Sequence, residues 1–554
     1  MKGTRSTSHG RTISRTSVLL LAVVLAAALA LRLLHLYAVS QTAFVDFHQV
    51  FTASDMHTNW QWAKQIAAGD WLGRPPYHPF GNKSKRITSR ETWERWRGGP
   101  MVFYQSPLYP YLVGSVIALG GERPVMMRLL QVLLGVLDCW LLYAIGRRIG
   151  GRRVGLFAAG LGAVYAPYIF YSAIMLRDIL LVPLQSGLLL SLLRWDERPT
   201  AGRALLAGAI LGLCLLAKVV TLLLVLLWAA WGVWWVARGG ATQRRTALGM
   251  VLGFALSVSP LVARNIAVGA PAFALSGNFS INFIRGFAAD GYPVGLVAPR
   301  STRAIMEASE GRSWPVVRET LKTYGDNVVG GLLRNQAIKL RALASPLEIP
   351  NNVNFYYARE LSAALRATLP FGLLLPIGLV GLALGLAPET RRRFALIWLF
   401  TLFAVGALLG SIVLSRYRLP LAGALLPAAG YALAWMVERA RAGALHKVGG
   451  AVTAYTMLAL VVYFLKPNPL YNYRYRATDY FLAEKIYMER EEYDRAAAEL
   501  ERLLGNIQGD SRLRALDLYT RRGLWKINFL RDLERAAGAP PAKPAPKPSA
   551  GDRR

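Results

Sequence analysis

The chain has 554 residues, of which 54% are hydrophobic, and its 65 Lys and Arg against 32 Asp and Glu give a net charge of +33. Apolar runs of about 20 residues alternate with short basic clusters, a pattern that excludes a water-soluble protein and predicts an all-α polytopic membrane protein. The basic residues lie at the ends of these runs, which argues against nucleic-acid binding. Cys139 and Cys214 both fall inside apolar runs, so a disulfide framework and a cysteine-ligated metal site are excluded.

The apolar runs predict eleven transmembrane helices. The first, residues 18–38, follows a basic cytoplasmic tail (residues 1–17) and is longer than a signal-peptide core, so we expect an uncleaved helix that enters from the cytoplasm. The other ten predicted spans are residues 125–146, 154–172, 179–193, 204–217, 219–237, 247–263, 367–387, 394–414, 419–437 and 448–465. With this arrangement every even-numbered turn is basic, as cytoplasmic loops should be.

One further apolar stretch, residues 107–120, is too short to span at about 14 residues and is expected to lie in the outer membrane interface. Three large polar pieces then face the extracytoplasmic side: a first outer loop (39–124), a large outer loop (264–366) and the region after Lys466. A channel or simple carrier usually has short loops, whereas chemistry on an outer-leaflet substrate needs a built surface. The architecture therefore favours an enzyme.

The first outer loop contains an acid at a predicted helix start. The apolar residues from Met56 to Ala67 recur at helical spacing, with Ser54 or Asp55 as the N-cap and Gly69 as the C-terminal stop. Taken alone, Asp55 is as consistent with a helix cap as with a general base that removes a proton from an acceptor hydroxyl at the membrane face.

Short motifs follow one another at the predicted outer ends of the helices. They are Asp55 with Gly69-Asp70, Ser106-Pro107-Leu108-Tyr109-Pro110, Tyr165-Ala166-Pro167 to Arg177-Asp178, Arg264-Asn265, Ser276-Gly277-Asn278-Phe279, Glu348-Ile349-Pro350-Asn351-Asn352 and Ser415-Arg416-Tyr417-Arg418-Leu419-Pro420. In this order the chain, over roughly residues 15 to 465, resembles the GT-C membrane glycosyltransferases, specifically the bacterial family 39 group of protein O-mannosyltransferases and aminoarabinose transferases. The resemblance implies a GT-C-like bundle, a polyprenyl-phosphate sugar donor and Asp55 as the catalytic base.

Transfer from a lipid phosphate also needs cations that stabilise the departing phosphate. Arg416 and Arg418 lie two residues apart at one outer membrane boundary, and Arg264 lies at another. One guanidinium group can donate two parallel hydrogen bonds to the oxygens of a phosphate, so these three arginines are predicted to bind substrate. The alternative is that they only reach the lipid headgroups.

Three further residues are predicted to bind substrate. Lys218, between two apolar runs at an outer turn, is a weaker candidate for phosphate, and Asn265 is included beside its neighbouring arginine. Asp178 is expected either to orient the acceptor or assist Asp55, or to serve only as a helix cap paired with Arg177.

A divalent metal is a possible cofactor. His48, His57 and His78 fall in the first outer loop near Asp46 and Asp55, but their spacing matches no ligand motif, so no metal ligands are named.

The C-terminal region changes character. Residues 466–535 are charged, and residues 477–504 resemble one tetratricopeptide unit, with a second helix pair predicted over 511–531. So short a piece is expected to dock on the outer loops or to bind a protein partner. The Pro-, Ala- and Lys-rich tail, residues 536–554, is expected to be disordered.

The sequence thus predicts an inverting glycosyltransferase on the outer face of a bacterial-type inner membrane, moving a sugar from a polyprenyl-phosphate donor to a glycan, lipid or protein hydroxyl. One alternative is a lipid-linked glycan polymerase or ligase, which concentrates its polar loop late in the chain. The other is a transporter or flippase, which would show charges buried in its spans and inverted internal symmetry. The sequence shows neither feature clearly.

Overall fold

The computed structural model describes residues 15–73, 89–238, 240–465, 476–508 and 513–538. Within these ranges the fold is helical, and the β pairing consists of two isolated bridges, Tyr165 with Leu369 and Val294 with Val413. Seven of the described helices are long and apolar enough to cross a membrane. The predicted all-α, multi-pass membrane protein is therefore confirmed.

The first span leads into the helices of the first outer loop. In chain order these are α1 (Arg15–Ser40), a 3-10 turn (Ala43–Asp46), α2 (Phe47–Val50), α3 (Asp55–Ala67), α4 (Arg90–Trp96) and α5 (Leu108–Gly120). Helix α5 coincides with the apolar stretch that is too short to span. It packs closely against α3, because a Cβ on Gly114 would lie 2.8 Å from the Ile66 side chain.

The next part of the bundle contains seven helices. They are α6 (Pro124–Gly150), α7 (Arg152–Val164), α8 (Ala166–Ser172), α9 (Asp178–Glu197), α10 (Ala201–Ala217), α11 (Leu222–Arg238, after a 3-10 turn at Val219–Thr221) and α12 (Ala241–Ala267). The predicted span 154–172 is broken at Tyr165, just before Pro167, where the backbone is extended and the neighbouring N–H and C=O groups pair with Leu369.

The large outer loop and the last spans complete the membrane part. The outer loop contains α13 (Phe279–Phe287), α14 (Thr302–Ser309), α15 (Ser313–Lys322), α16 (Val328–Ala344), α17 (Phe355–Leu361) and α18 (Ala363–Arg366). The spans that follow are α19 (Phe371–Leu384), α20 (Arg391–Leu409), α21 (Leu419–Arg441, after a 3-10 turn at Ser415–Arg418) and α22 (Leu445–Phe464).

Every predicted span coincides with helical structure, but four of them are shorter than 18 residues or interrupted. These are the pair α7 and α8, and helices α10, α11 and α19. The remaining seven are the long apolar helices. The count of eleven spans therefore stays a prediction.

Small residues bring α10 and α12 into backbone contact. A Cβ on Gly208 would lie 1.9 Å from the Met250 carbonyl oxygen, and a Cβ on Gly253 would lie 2.0 Å from the Leu205 carbonyl oxygen. Such close approach is how membrane helices pack without a hydrophobic driving force. Helix α10 ends at Ala217, and the residue that follows it is Lys218.

Charged side chains are buried inside two spans, contrary to the expectation that the spans lack them. Arg32 and His35 on α1 and Asp138 on α6 are all almost completely buried. Arg32 donates hydrogen bonds to the carbonyl oxygens of Ala28 and Gly162, at 3.0 and 3.3 Å. The sequence alone did not reveal this because isolated charges in otherwise apolar runs barely change the mean hydropathy.

The described residues of the C-terminal region form three helices, α23 (Ala477–Glu489), α24 (Tyr493–Ile507) and α25 (Arg514–Gly538). The second helix pair predicted over residues 511–531 is instead one long helix, since this stretch contains no proline to end it, and its only glycine, Gly523, packs against Leu500. The helix runs three residues into the predicted tail, and residues 539–554 lie outside the described ranges.

The C-terminal helices dock on both outer loops. The Tyr487 hydroxyl accepts a hydrogen bond from the Ala43 N–H at 3.0 Å, and Arg490 pairs with Asp46 in the first outer loop. In the large outer loop, Arg502 pairs with Glu360 at 2.5 Å. The first of the two roles predicted for this region, docking on the outer loops, is thus what the contacts show.

Candidate functional site

Two carboxylates begin helices at one end of the bundle, the end predicted to be extracytoplasmic. Ser54 is the N-cap of α3, because its Oγ accepts a hydrogen bond from the His57 N–H at 3.1 Å, and this leaves Asp55 as the first residue of the helix. Asp178 is likewise the first residue of α9. The positive end of a helix dipole favours a negative charge at both positions. Asp55 is therefore not needed as the cap of α3, because Ser54 fills that role.

The Asp55 carboxylate is held by three side chains. Its Oδ2 atom lies 2.7 Å from Arg416 Nη2 and accepts a second hydrogen bond from Asn352 Nδ2 at 3.3 Å. Its Oδ1 atom accepts a hydrogen bond from Gln105 Nε2 at 2.7 Å. Asn352 Oδ1 also accepts the Asp55 backbone N–H at 2.8 Å. The acid is thus fixed in orientation, and with 18% of its side chain exposed it can still be reached from solvent.

Arg416 connects the two acids. Its second terminal nitrogen, Nη1, lies 3.5 Å from Asp178 Oδ2, and the guanidinium is almost completely buried. The other oxygen of Asp178 accepts a hydrogen bond from Lys218 Nζ at 2.5 Å. One arginine fork therefore spans two carboxylates that come from different helices, and a lysine completes the cluster.

One alternative predicted an ion pair between Arg177 and Asp178. The hydrogen bond that Arg177 makes is instead with Gln105. The Arg177 Nη1 atom donates to Gln105 Oε1 at 2.9 Å, and Gln105 in turn donates to Asp55. Gln105 thus links a second buried guanidinium to the candidate base.

A pocket lies beside this cluster. Its polar lining comes from Ser106, Arg177, Gln185, Lys218, Asn278, Asn282, Ser411 and Tyr417. Its apolar lining comes from Val219, Val220, Phe403, Ala404, Ala407 and Pro420, at the outer ends of α11, α20 and α21. The pocket thus has a cationic end next to the acids and an apolar wall made by membrane helices.

The structure does not bring Arg418 into the cluster. Its guanidinium donates to the Ser345 and Leu347 carbonyl oxygens, each at 2.7 Å, and forms an ion pair with Glu348 at 2.7 Å. Arg418 is not among the residues that line the pocket. It fastens the large outer loop to the start of α21, and its contact with the lipid phosphate stays a prediction.

Replacing Arg418 by Gln should destabilise the protein rather than alter the chemistry directly. The substitution leaves Glu348 as an uncompensated buried charge, so we expect a loss of about 3–5 kcal/mol in the free energy of unfolding. Thermal unfolding in detergent measures it. The double variant Arg418→Gln with Glu348→Gln should recover much of the loss, and equal instability of both variants would contradict this role.

Arg264 and Asn265 also lie apart from the acids. Arg264 donates to the carbonyl oxygens of Met101 at 2.6 Å and of Gly73 at 2.8 Å, and its guanidinium lies 3.9 Å from the centre of the Phe103 ring. Asn265 donates to the carbonyl oxygen of Ala274 at 3.0 Å. Both hold backbone segments together, and their substrate contacts stay predictions.

The site contains residues that were missed as candidates. Gln105 directly precedes the Ser106-Pro107 motif, and Asn352 ends the Asn351-Asn352 motif, so both were next to or inside quoted motifs. Neutral amides give no charge signal at a helix end, and their value depends on which side chain they face. Only the fold reveals that both face Asp55.

The histidines of the first outer loop form no metal cluster in the part of the chain that is described. No group of three or more His, Cys, Asp or Glu suited to a metal ion occurs there. His48 is buried, which lowers its pKa to about 3, and its Nδ1 lies 2.8 Å from the Val45 carbonyl oxygen. His57 Nδ1 lies 3.0 Å from the His48 carbonyl oxygen, and His78 lies outside the described residues.

Comparison with known proteins gives a family for part of the chain. Residues 104–263 match the dolichyl-phosphate-mannose-protein mannosyltransferase family. This confirms the predicted resemblance to membrane glycosyltransferases. The matched segment includes Gln105, Arg177, Asp178 and Lys218, whereas Asp55 and the other partners of its carboxylate lie outside it. No curated protein matches the chain in sequence.

Two solved structures are among those that are similar to the chain. The archaeal oligosaccharyltransferase AglB from Archaeoglobus fulgidus, in complex with an inhibitory peptide and a dolichol-phosphate, is 15% identical, with a TM-score of 0.44 over 87% of this chain and 59% of that one. ArnT from Cupriavidus metallidurans, bound to undecaprenyl phosphate, is 17% identical, with a TM-score of 0.35 over 78% of this chain and 80% of that one. The chain thus spans about three fifths of the oligosaccharyltransferase's length.

Proposed function

We propose that the protein moves a monosaccharide from a polyprenyl-phosphate donor to an acceptor hydroxyl, with inversion at the anomeric carbon, because residues 104–263 match the dolichyl-phosphate-mannose-protein mannosyltransferase family. The observation that carries this proposal is the buried Asp55–Arg416–Asp178 bridge beside a pocket with a cationic end and an apolar wall. Such a pocket suits a molecule with a charged head and a hydrocarbon chain.

Asp55 acts as the general base. It accepts the proton of the acceptor hydroxyl as the hydroxyl oxygen forms a bond to the anomeric carbon, and the bond from that carbon to the phosphate oxygen breaks on the opposite side. A single displacement of this kind inverts the configuration. The three side chains that hold the carboxylate provide the orientation that such a step requires.

The leaving phosphate binds at the cationic end of the pocket. Arg177 and Lys218 both line it, and each is also connected to an acid of the cluster, through Gln105 and by direct contact with Asp178 respectively. Fixed cations in a partly dehydrated site stabilise the charge that develops on the departing oxygen. The isoprenoid chain lies along the apolar wall, which includes Val220 and Phe403.

Lys218→Met should weaken donor binding. Loss of one charge-assisted contact to phosphate costs about 1.5–3 kcal/mol, so we expect the donor KM to rise about 10- to 100-fold with a smaller change in kcat. Asp178 keeps its contact with Arg416 in this variant. The matched control is Lys339→Met, which removes a buried lysine that donates to the Leu409 carbonyl oxygen and does not itself line the pocket. An unchanged donor KM for Lys218→Met would argue against phosphate binding at this end.

The reaction takes place on the extracytoplasmic face of a bacterial-type inner membrane. The even-numbered turns of the predicted topology are basic, which supports a cytoplasmic N-terminus and an extracytoplasmic C-terminus. Both acids then lie at outer helix ends, where a lipid-linked donor and a glycan, lipid or protein acceptor can meet. The exposed apolar side chains of α25, among them Trp525 and Phe529, are the surface on which a protein partner would bind.

One observation favours transport or flipping as a second candidate, namely the burial of Arg32, His35 and Asp138 inside spans. Arg32, however, donates to the carbonyl oxygens of Gly162 and Ala163 on α7 and so fastens α1 to its neighbour. The acids of the pocket cluster lie at outer helix ends instead. This supports an outer-face enzyme over a path across the membrane.

The proposal is tested with the purified protein in lipid nanodiscs, supplied with polyprenyl-phosphate sugars and, in parallel, with polyprenyl-pyrophosphate sugars. Transfer to an acceptor from the monophosphate donors, with an inverted anomeric configuration by NMR, is the expected result. Transfer only from the pyrophosphate donors, or retained configuration, would refute the proposed donor or mechanism. Movement of labelled lipid between leaflets without transfer would favour the flippase.

A further inference from the structure

We propose that the C-terminal helical region completes the candidate active site, because Arg476 and Asp479 hold the loop that carries Asn352 where it fixes Asp55. The inference rests on the proposed role of Asp55 as the base. It makes Asn352 and Arg476 positioning residues, and it gives the docked C-terminal region a function in the reaction.

The first step is the contact between Asn352 and Asp55. The Asn352 amide makes two hydrogen bonds with the same residue: Oδ1 accepts the Asp55 backbone N–H at 2.8 Å, and Nδ2 donates to the carboxylate oxygen Oδ2 at 3.3 Å. One amide therefore fixes both the start of α3 and the orientation of its acid. Any displacement of Asn352 would displace the carboxylate relative to Arg416.

The second step is the anchoring of Asn352 itself. Arg476 donates to the backbone carbonyl oxygen of Asn351 and, at 2.8 Å, to that of Asn352. Asp479 accepts the Asn354 N–H at 3.2 Å and pairs with Arg476 at 2.7 Å. Asp479 is fully buried, and the side chain of Arg476 is 15% exposed. The loop is thus bound at three backbone positions by one buried ion pair.

The loop depends on these contacts because it has no secondary structure of its own. Residues 345–354, between α16 and α17, contain no helix or strand, so their polar backbone groups need partners from elsewhere. The partners at Asn351, Asn352 and Asn354 come from the first residues of the C-terminal region. Asn352 is therefore placed by a part of the chain that contributes nothing directly to the pocket lining.

The predicted effect is on the rate of the chemical step. A misplacement of about 1 Å at a reacting group can cost about 10²-fold in rate. Arg476→Gln, which shortens and neutralises the anchor while Asn352 remains, is expected to lower kcat about tenfold and to leave the donor KM within about twofold. A donor-binding residue would show the opposite division between kcat and KM.

Two further variants separate positioning from simple docking. Arg490→Gln breaks another ion pair that docks the same region, the one with Asp46, while the hydrogen bonds from Arg476 to Asn351 and Asn352 remain, so it should leave kcat unchanged. In the Asn352→Ala background, Arg476→Gln should have no additional effect on kcat, because both act on Asp55 through the same amide. Additive losses, or an equal loss in Arg490→Gln, would overturn the inference.

A measurement that does not depend on turnover distinguishes this inference from the proposed function. Hydrogen exchange by mass spectrometry should show faster exchange over residues 54–58 in Arg476→Gln than in wild type, with no change in Arg490→Gln. If wild type transfers no sugar but this coupling is present, the proposed function fails and the anchoring stands. If wild type is active and the exchange rate over these residues is unchanged in Arg476→Gln, the inference fails. If Arg476→Gln does not fold, the same comparison is made with Arg476→Lys, which keeps a positive charge beside Asp479.

Discussion

Replacement of Asp55 by Asn is expected to reduce the transfer rate by about 10²- to 10⁴-fold, the range that positioned proton transfer contributes. Asn has the same shape as Asp, and its single side-chain oxygen can keep one of the two hydrogen bonds that the carboxylate accepts from Gln105 and Asn352, so we expect the protein to insert and fold. What it loses is the ability to accept the proton of the acceptor hydroxyl. The rate should be measured in single turnovers with saturating donor, so that binding does not limit it.

The control for this variant is Asp46→Asn in the same outer loop. Asp46 pairs with Arg490 and lies outside the pocket, so its replacement removes an acid of similar exposure without affecting proton transfer. Normal turnover by Asp55→Asn would show that Asp55 only stabilises the N-terminus of α3 and is not the base. Asp178, the other acid bound by Arg416, would then be the base to examine.

Arg416→Lys is expected to lower kcat by about 10²-fold although it keeps the positive charge. The guanidinium of Arg416 reaches Asp55 with one terminal nitrogen and Asp178 with the other. An ammonium is a point charge and cannot span both carboxylates in fixed geometry, so one acid would lose its partner and move. A shift of about 1 Å at the base accounts for the size of the effect.

Arg502→Lys provides the matched control, because Arg502 also spans two carboxylates, those of Glu499 and Glu360, but does so in the C-terminal region. It should change stability slightly and kcat very little. If Arg416→Lys is as active as wild type, catalysis does not require one guanidinium group that contacts both Asp55 and Asp178. If both variants lose activity equally, the effect is one of folding.

The sequence revealed much of the architecture and part of the site. Apolar runs predict spans because a helix needs about 20 apolar residues to cross the bilayer. The charged residues at the predicted outer helix ends included Asp55, Asp178, Lys218 and Arg416, and the structure brings these four into one cluster. Each could be recognised because a charge at a lipid boundary is costly unless it is used or bound. Which of them meet could not be predicted.

Arg416 and Arg418 illustrate why. They lie in a 3-10 turn, where three residues complete a turn, so side chains two positions apart point in different directions. One therefore joins the acids, while the other pairs with Glu348. In a linear sequence the two arginines are equivalent candidates, and only the geometry of the turn assigns them different roles.

The anchoring of the 351–354 loop also has a consequence for the order in which the protein matures. Four apolar helices, α19 to α22, lie between Asn352 and Arg476 in the chain, so the anchor is synthesised only after all of them. Domains generally fold in the order of synthesis. Asp55 therefore reaches its final position only after nearly the whole polypeptide has been synthesised. Until the last spans have inserted into the bilayer, the candidate active site of the nascent chain is incomplete.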